Sequence, residues 1–129
     1  FYDNGLSQEN LLRIQSDAIR KAADESSCVF VGRCADYVLR DNPNMVTVFI
    51  TADLSDRISN VCKRRNCSAE EARKLIEDKE STRSSYYNYY SGKTWGASAS
   101  YDLCVNASRL GAEGTKEFIA DFIRRRMKR

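Results

Sequence analysis

An apolar segment followed by glycine and arginine is the first place where this sequence could bind an anion. Residues 28–31, Cys-Val-Phe-Val, form a short apolar run that predicts a buried strand. Gly32 permits a sharp turn, Arg33 follows it, and Asp36 lies at the start of a predicted short helix. Ligands bind at the carboxyl ends of strands in open α/β sheets, and the planar guanidinium of Arg33 suits phosphate or carboxylate. An arginine that is merely solvated or ion-paired is an equally open interpretation.

Basic residues are concentrated in the middle of the chain, next to a run of tyrosines. The tyrosines occupy positions 86, 87, 89 and 90, and the cations are Arg57, Lys63, Arg64, Arg65, Arg73, Lys74, Lys79, Arg83 and Lys93. Three interpretations are open on this pattern alone. The cations could line a solvated helix face, paired with neighbouring carboxylates. They could converge on a polyphosphate. With the tyrosines, they could also stack on and neutralise single-stranded nucleic acid.

Composition narrows the function classes. The chain has 129 residues, a net charge of +3 and no histidine, so it has the size of one domain and none of the His-dependent nucleophilic sites. The small net charge makes nucleic acid an unlikely partner by charge alone. No apolar run is long enough to span a membrane. Five cysteines, an odd number without paired Cys-x-x-Cys spacing, predict reduced thiols, a cytoplasmic location and no metal ligands.

Hydrophobic periodicity predicts that helices and strands alternate. Apolar residues recur at helical spacing from Leu11, and buried strands are predicted over residues 28–31, 45–51 and 103–105. The other predicted helices cover residues 35–39, 54–65, 69–90 after a capping box at Ser68, and 115–129. Because this alternation implies parallel strands with right-handed crossovers, the sequence predicts a three-layer α/β fold, a parallel sheet flanked by helices.

Four segments resemble the cytidylate kinase-like family of nucleoside monophosphate kinases. They are residues 27–37, 48–52, 83–96 and 101–108. The most specific is the tyrosine-rich run that ends in Gly92-Lys93-Thr94-Trp95-Gly96. The resemblance implies one P-loop kinase-like domain over residues 1–129 with a helical lid at about 64–95, mobile without ligand. It also implies phosphoryl transfer from ATP to CMP or dCMP, with Mg²⁺ as cofactor.

The same resemblance implies roles for individual residues. The implied catalytic residues, which would reach the transferred phosphates, are Arg64, Lys79 and Arg83. The implied substrate-binding residues are Arg33, Asp36 and Tyr86. One face of the tyrosine run is expected to pack with Trp95 on the body of the domain, because aromatic stripes at helical spacing usually belong to a core.

One departure from the family affects the expected activity. No Gly-x-x-x-x-Gly-Lys-[Ser/Thr] phosphate loop occurs in the sequence, and Phe1-Tyr2-Asp3 resembles the strand that follows this loop in the family. We therefore expect an incomplete copy that is inactive in phosphoryl transfer by itself. The alternatives are a non-catalytic nucleotide-binding relative and a basic nucleic-acid-binding module. Glu80 also stands where the family tends to have aspartate.

Overall fold

A computed structural model describes residues 8–128, and the chain divides into two compact units between Met45 and Val46. The first unit contains helix α1 (Gln8–Glu25) and the short helix α2 (Ala35–Val38), which contact each other. Ile19 of α1 and Ala35 of α2 are buried. The prediction of both helices is therefore confirmed. The resemblance noted at Phe1-Tyr2-Asp3 lies outside the described residues.

The predicted strand over residues 28–31 is wrong. This segment has no strand structure, and the side chains of Val29 and Val31 are 93% and 88% exposed. The Cys28 thiol instead donates a hydrogen bond to the carbonyl oxygen of Ala22 at 3.3 Å, close to the end of α1. An apolar run forms a strand only where neighbouring strands satisfy its backbone groups. Within residues 8–128 no strand pairs with this segment, so its apolar composition alone does not make it one.

The second unit is built on a parallel pair of strands, as predicted for these two segments, but the predicted burial of the strands is wrong because both are partly exposed, with Ile50 at 56%. Strand β1 (Val48–Thr51) pairs with β2 (Leu103–Asn106), with Val48 opposite Leu103 and Thr51 opposite Asn106. Just before the strands, the Thr47 N–H donates to Asp102 Oδ2 at 2.9 Å and the Asp102 N–H donates to Thr47 Oγ1 at 2.8 Å. Residues 8–128 thus form a mixed α/β structure whose described sheet has two strands rather than the three predicted.

Two packed helices connect the strands. Helix α3 (Leu54–Arg65) ends at Asn66, which is left-handed, and α4 (Ala69–Ser91) ends at Gly92, with φ 72°. The predicted capping box is confirmed: Ser68 Oγ accepts from the Glu71 N–H at 3.1 Å, and Glu71 Oε1 accepts from the Ser68 N–H at 2.9 Å. Because this box fixes where α4 begins, the local sequence determines the α3–α4 connection.

An aromatic cluster and a long helix complete the second unit. The Phe49 ring centroid lies 5.0 Å from those of both Trp95 and Tyr101, and buried Tyr87 stacks on Tyr101. Helix α5 (Ala107–Met127) begins earlier than the predicted residue 115, because Asn106 Oδ1 caps the Ser108 N–H at 2.9 Å. The first residues of α5 do not continue the hydrophobic periodicity of the rest of the helix, because α5 is interrupted at Gly111, with φ 75°. The sequence pattern therefore did not reveal this early start. In the described part of the chain, no helix combines the length and apolarity needed to cross a membrane.

Candidate functional site

A basic groove with a volume of about 240 Å³ lies between α3 and α4. Its lining includes the predicted residues Arg64, Lys79 and Arg83, so the structure brings these three together. The other lining residues are Arg57, Asn60, Val61, Arg65, Leu75, Ile76 and Glu80. We refer to this set as the α3–α4 groove. Its lining combines three apolar side chains with five long cationic ones.

Helical geometry explains why these side chains face each other. On α3, Arg57, Val61 and Arg64 recur at intervals of three and four residues, which places them on one face of the helix. On α4, buried Ile76 is followed at the same spacing by Lys79 and Arg83. Apolar residues on these faces hold the two helices together, and the cations of the same faces therefore border the groove.

The groove carries an excess of positive charge. Glu80 Oε1 lies 2.8 Å from Arg57 Nη2, and both side chains are partly buried. No ion pair involves Arg64, Lys79 or Arg83 within residues 8–128. Several cations held close together without a counter-charge repel one another, and a bound anion would relieve that repulsion. The arrangement therefore suits a group with multiple negative charges, such as a polyphosphate.

Arg33 lies in a turn whose backbone is strained. Gly32, Arg33 and Cys34 all have left-handed conformations, with φ of 70°, 61° and 55°. Only glycine adopts this conformation freely, so Arg33 and Cys34 each carry a conformational cost. Arg33 is exposed, and Asp36, on α2 directly after the turn, accepts a hydrogen bond at Oδ1 from the Tyr37 N–H at 2.8 Å. Strained non-glycine residues cluster at functional sites, which makes this turn a candidate anion site.

Cys34, next to Arg33, is buried, and its thiol is unreactive at neutral pH. Its side chain is only 5% exposed. Burial, with a smaller contribution from the Asp36 carboxylate, raises the pKa of the Cys34 thiol to about 11. The thiol is therefore protonated at neutral pH and is not a nucleophile there.

The tyrosines of the run differ in exposure: some pack in the interior and others lie at the surface. Tyr87 is buried against Tyr101, and Tyr89 is exposed. Tyr86 is partly buried, with its ring centroid 4.8 Å from that of Tyr90, and it is not among the side chains that line the α3–α4 groove. The expected packing of one face on the body of the domain is confirmed through Tyr87. Contact between Tyr86 and nucleotide stays a prediction.

Sequence reasoning assigned no catalytic or binding role to several residues of this unit. In the groove these are Arg57, Arg65 and Glu80, and the three- and four-residue spacing on α3 and α4 was the signal that could have identified them. A polar cluster at the carboxyl ends of β1 and β2 was also missed. There Asp53 Oδ1 accepts from Asn106 Nδ2 at 3.1 Å and from Arg109 Nη2 at 2.8 Å. Only the fold brings these positions together.

The side chains of the groove fit phosphate better than a metal ion. Guanidinium and ammonium groups donate to anionic oxygens and do not ligate cations. Within the described range, no three His, Cys, Asp or Glu side chains converge as metal ligands. We therefore assign none of the residues 8–128 to magnesium.

Comparisons with known proteins identify the family. The model of the cytidylate kinase-like family matches residues 1–109. Cytidylate kinase of Methanothrix thermoacetophila is 30% identical over 99 residues, which cover 77% of this chain and 56% of the relative. Cytidylate kinase of Thermococcus kodakarensis is 30% identical over 95 residues, 73% of this chain and 48% of the relative. The chain thus spans about half the length of these curated relatives.

A solved structure is similar to this chain over most of its length. The crystal structure of an uncharacterized protein from Eubacterium ventriosum has a TM-score of 0.86 and 30% sequence identity, covering 92% of this chain and 68% of that one. The sequence match to the family model covers most of the chain. This chain belongs to the cytidylate kinase-like family.

Proposed function

We propose that this chain provides the acceptor-binding and lid portion of a nucleoside monophosphate kinase that transfers a phosphoryl group from ATP to CMP or dCMP. The observation that carries the proposal is the convergence of Arg64, Lys79 and Arg83 on the α3–α4 groove. Membership of the cytidylate kinase-like family supports the reaction class.

The proposed roles follow from the physical demands of phosphoryl transfer. The reaction needs little covalent participation by protein, and catalysis comes from positioning and from stabilising negative charge. In this proposal Arg64, Lys79 and Arg83 neutralise charge on the transferred group. Arg33 holds the acceptor monophosphate through paired N–H donors, with Asp36 nearby. Magnesium, when bound with ATP, supplies further charge neutralisation on the phosphates.

We extend the proposal to the fold as a three-layer P-loop kinase-like domain in which about residues 64–95, the end of α3 together with α4, form the lid. The parallel pairing of β1 with β2 supports it, because parallel strands joined through helices are the unit of such folds. The likeness to the Eubacterium ventriosum protein also supports it. Closure of a lid over ATP would exclude water and bring the groove cations to the phosphates.

Calorimetric titration of the chain with inorganic pyrophosphate and with CMP tests the proposal. The double variant Lys79→Ala/Arg83→Ala should weaken pyrophosphate binding by at least about tenfold, since two charge-assisted contacts are removed. The matched control is Lys74→Ala, which removes a cation from the same helix outside the groove lining, where Lys74 pairs with Asp78 at 3.6 Å.

Two outcomes of this titration would contradict the proposal. Equal losses for the double variant and for Lys74→Ala would mean that pyrophosphate binds by general charge rather than in the groove. Binding of a single-stranded oligonucleotide that is tighter than binding of CMP and falls steeply with salt would instead indicate a nucleic-acid-binding module.

A further inference from the structure

The end of α3 brings two cysteines together. Asn66 is left-handed, with φ 53°, and the Asn66 and Cys67 N–H groups both donate to the carbonyl oxygen of Cys62, the second at 3.3 Å. In this type of helix ending, the residue after the left-handed position contacts the side chain of the residue whose carbonyl accepts its N–H. Here both positions are cysteines, and the backbone hydrogen bond from Cys67 to Cys62 holds the two residues next to each other.

We propose that Cys62 and Cys67 are a modification site at the end of α3, where they form a reversible disulfide. Both side chains are partly exposed, so a small oxidant can reach them. A disulfide requires Cα atoms about 4.4–6.8 Å apart with Cβ atoms directed toward each other. The hydrogen bond from the Cys67 N–H to the Cys62 carbonyl oxygen folds the chain back at this helix end and brings the two residues close. The evidence for this site does not rest on the phosphotransferase function proposed above.

The reaction balances with a peroxide as oxidant. The thiolate of one cysteine attacks an oxygen of hydrogen peroxide, the O–O bond breaks, a sulfenic acid forms and hydroxide leaves. The hydroxide takes up the proton that this thiol lost on ionising and becomes water. The second thiol then attacks the sulfenic sulfur, the S–S bond forms, and water leaves with the second thiol's proton. In total, two thiols are oxidised by two electrons, and one peroxide is reduced to two waters. A dithiol reductant reverses the reaction by thiol–disulfide exchange.

The groups around Cys62 and Cys67 influence the rate at which the disulfide forms. Burial raises the pKa of the Cys67 thiol, and so do the neighbouring Cys62 and the Glu71 carboxylate, while Arg65 acts in the opposite direction. Because the thiolate is the reactive form, disulfide formation should be slow at neutral pH and accelerate as the pH rises. The pair is therefore suited to slow oxidation rather than to rapid peroxide sensing.

The position of the pair links it to the groove. The residues between the two cysteines are Lys63, Arg64, Arg65 and Asn66, and two of them, Arg64 and Arg65, line the α3–α4 groove. A covalent bond between Cys62 and Cys67 would restrict the backbone of this turn. The oxidised protein should therefore hold two groove cations in a narrower set of conformations than the reduced protein does.

Peptide mapping of the native chain tests the proposal directly. The chain is treated with hydrogen peroxide, its remaining thiols are alkylated with iodoacetamide, and it is digested with trypsin. Cleavage at the basic residues between the cysteines places Cys62 in peptide 58–63 and Cys67 in peptide 66–73. We expect these peptides to be joined by a bond that dithiothreitol breaks. Where trypsin misses all three sites between them, after Lys63, Arg64 and Arg65, one peptide lighter by two hydrogens is expected.

Serine variants provide the controls. Cys67→Ser should abolish the joined species, whereas Cys104→Ser, which removes an exposed thiol on β2, should leave it unchanged. The joined pair should exceed every other cysteine pairing by at least about tenfold, because proximity favours one partner. Separate alkylation of Cys62 and Cys67 after oxidation, or preferential pairing of either with Cys28 or Cys104, would overturn the proposal. In that case the two cysteines serve only as an apolar contact in the turn.

Discussion

Arg57 Nη2 lies 2.8 Å from Glu80 Oε1, so an ion pair joins α3 to α4 across the basic groove. Among the described residues that line the groove, Glu80 is the only carboxylate. It lowers the positive potential of the site and holds one guanidinium away from any bound anion. The contact therefore stabilises the helix pair and opposes anion binding at the same time.

Glu80→Gln should raise the affinity of the chain for pyrophosphate by about threefold to tenfold, since it removes a negative charge from the groove and releases Arg57. The melting temperature should fall slightly, because a partly exposed ion pair contributes at most about 1 kcal/mol. Asp78→Asn is the control: it changes the net charge equally but breaks an exposed pair with Lys74 on the outer part of α4. An unchanged or weaker affinity in Glu80→Gln would contradict this account.

Much of the fold could be predicted because local chemistry determines it. The helix over 54–65 and the capping box at Ser68 depend on residues within one or two turns of each other, and both predictions are confirmed. The segment 28–31 could not be assigned in this way. Its composition favours a strand, but a strand depends on partners far away in the sequence, and β1 pairs with β2 instead.

Arg33→Gly separates binding from stability at the strained turn. Glycine has no steric penalty at φ 61°, so the variant should be more stable by about 1 kcal/mol, partly offset by the greater freedom of glycine in the unfolded chain. It should also bind CMP at least about tenfold more weakly, because the guanidinium is lost. Thermal melts and calorimetry measure the two effects.

Arg40→Ala is the matched control for Arg33→Gly. Arg40 is exposed, follows α2 closely, and stacks on the Tyr37 ring at 4.1 Å. Its loss should leave the affinity for CMP within about twofold. If Arg33→Gly binds CMP as tightly as the unchanged chain does, Arg33 does not contact the acceptor, and the strain at this turn has another cause.

Asn106→Ala should destabilise the second unit. Asn106 Oδ1 caps the Ser108 N–H at 2.9 Å, and its Nδ2 donates to Asp53 Oδ1 at 3.1 Å. Loss of a helix cap typically costs about 0.5–2 kcal/mol, and Asp53 would also lose a donor. Urea denaturation measures the change. Asn44→Ala, in an exposed turn, is the control and should shift stability by less than about 0.5 kcal/mol. Equal stability of the two variants would show that Asn106 does not hold the start of α5.

The sequence predicts that the candidate site contains cationic side chains. It does not predict every residue that lines the site. Arg64, Lys79 and Arg83 were identified through resemblance, and the structure adds Arg57 and Glu80, which become neighbours only when α3 packs against α4. Spacing can place residues on one face of a helix. It does not say which face of a second helix will meet them, because that depends on the packing of side chains such as Ile76 and Leu75.

Because of the Cys34 thiol, we expect the free energy of unfolding to depend on pH in the alkaline range. Its pKa in the folded protein, about 11, lies above the ordinary value of 9.0, so the folded state holds the thiol proton more tightly than the unfolded state does. This contribution to stability is complete below pH 9 and is lost as the pH rises toward 11. Denaturation midpoints measured from pH 8 to about 11 should fall less steeply in Cys34→Ala than in the unchanged chain.

Two comparisons isolate the effect of Cys34 from that of other groups that titrate in the same range. Cys28→Ala, which removes an exposed thiol instead of the buried one, is the control substitution for these denaturation curves. Alkylation by iodoacetamide at pH 8 should modify Cys28 and Cys104 well before Cys34, because the buried Cys34 is protonated and shielded. Rapid modification of Cys34 in the native chain would contradict its burial, and with it the environment assigned to the turn that carries Arg33.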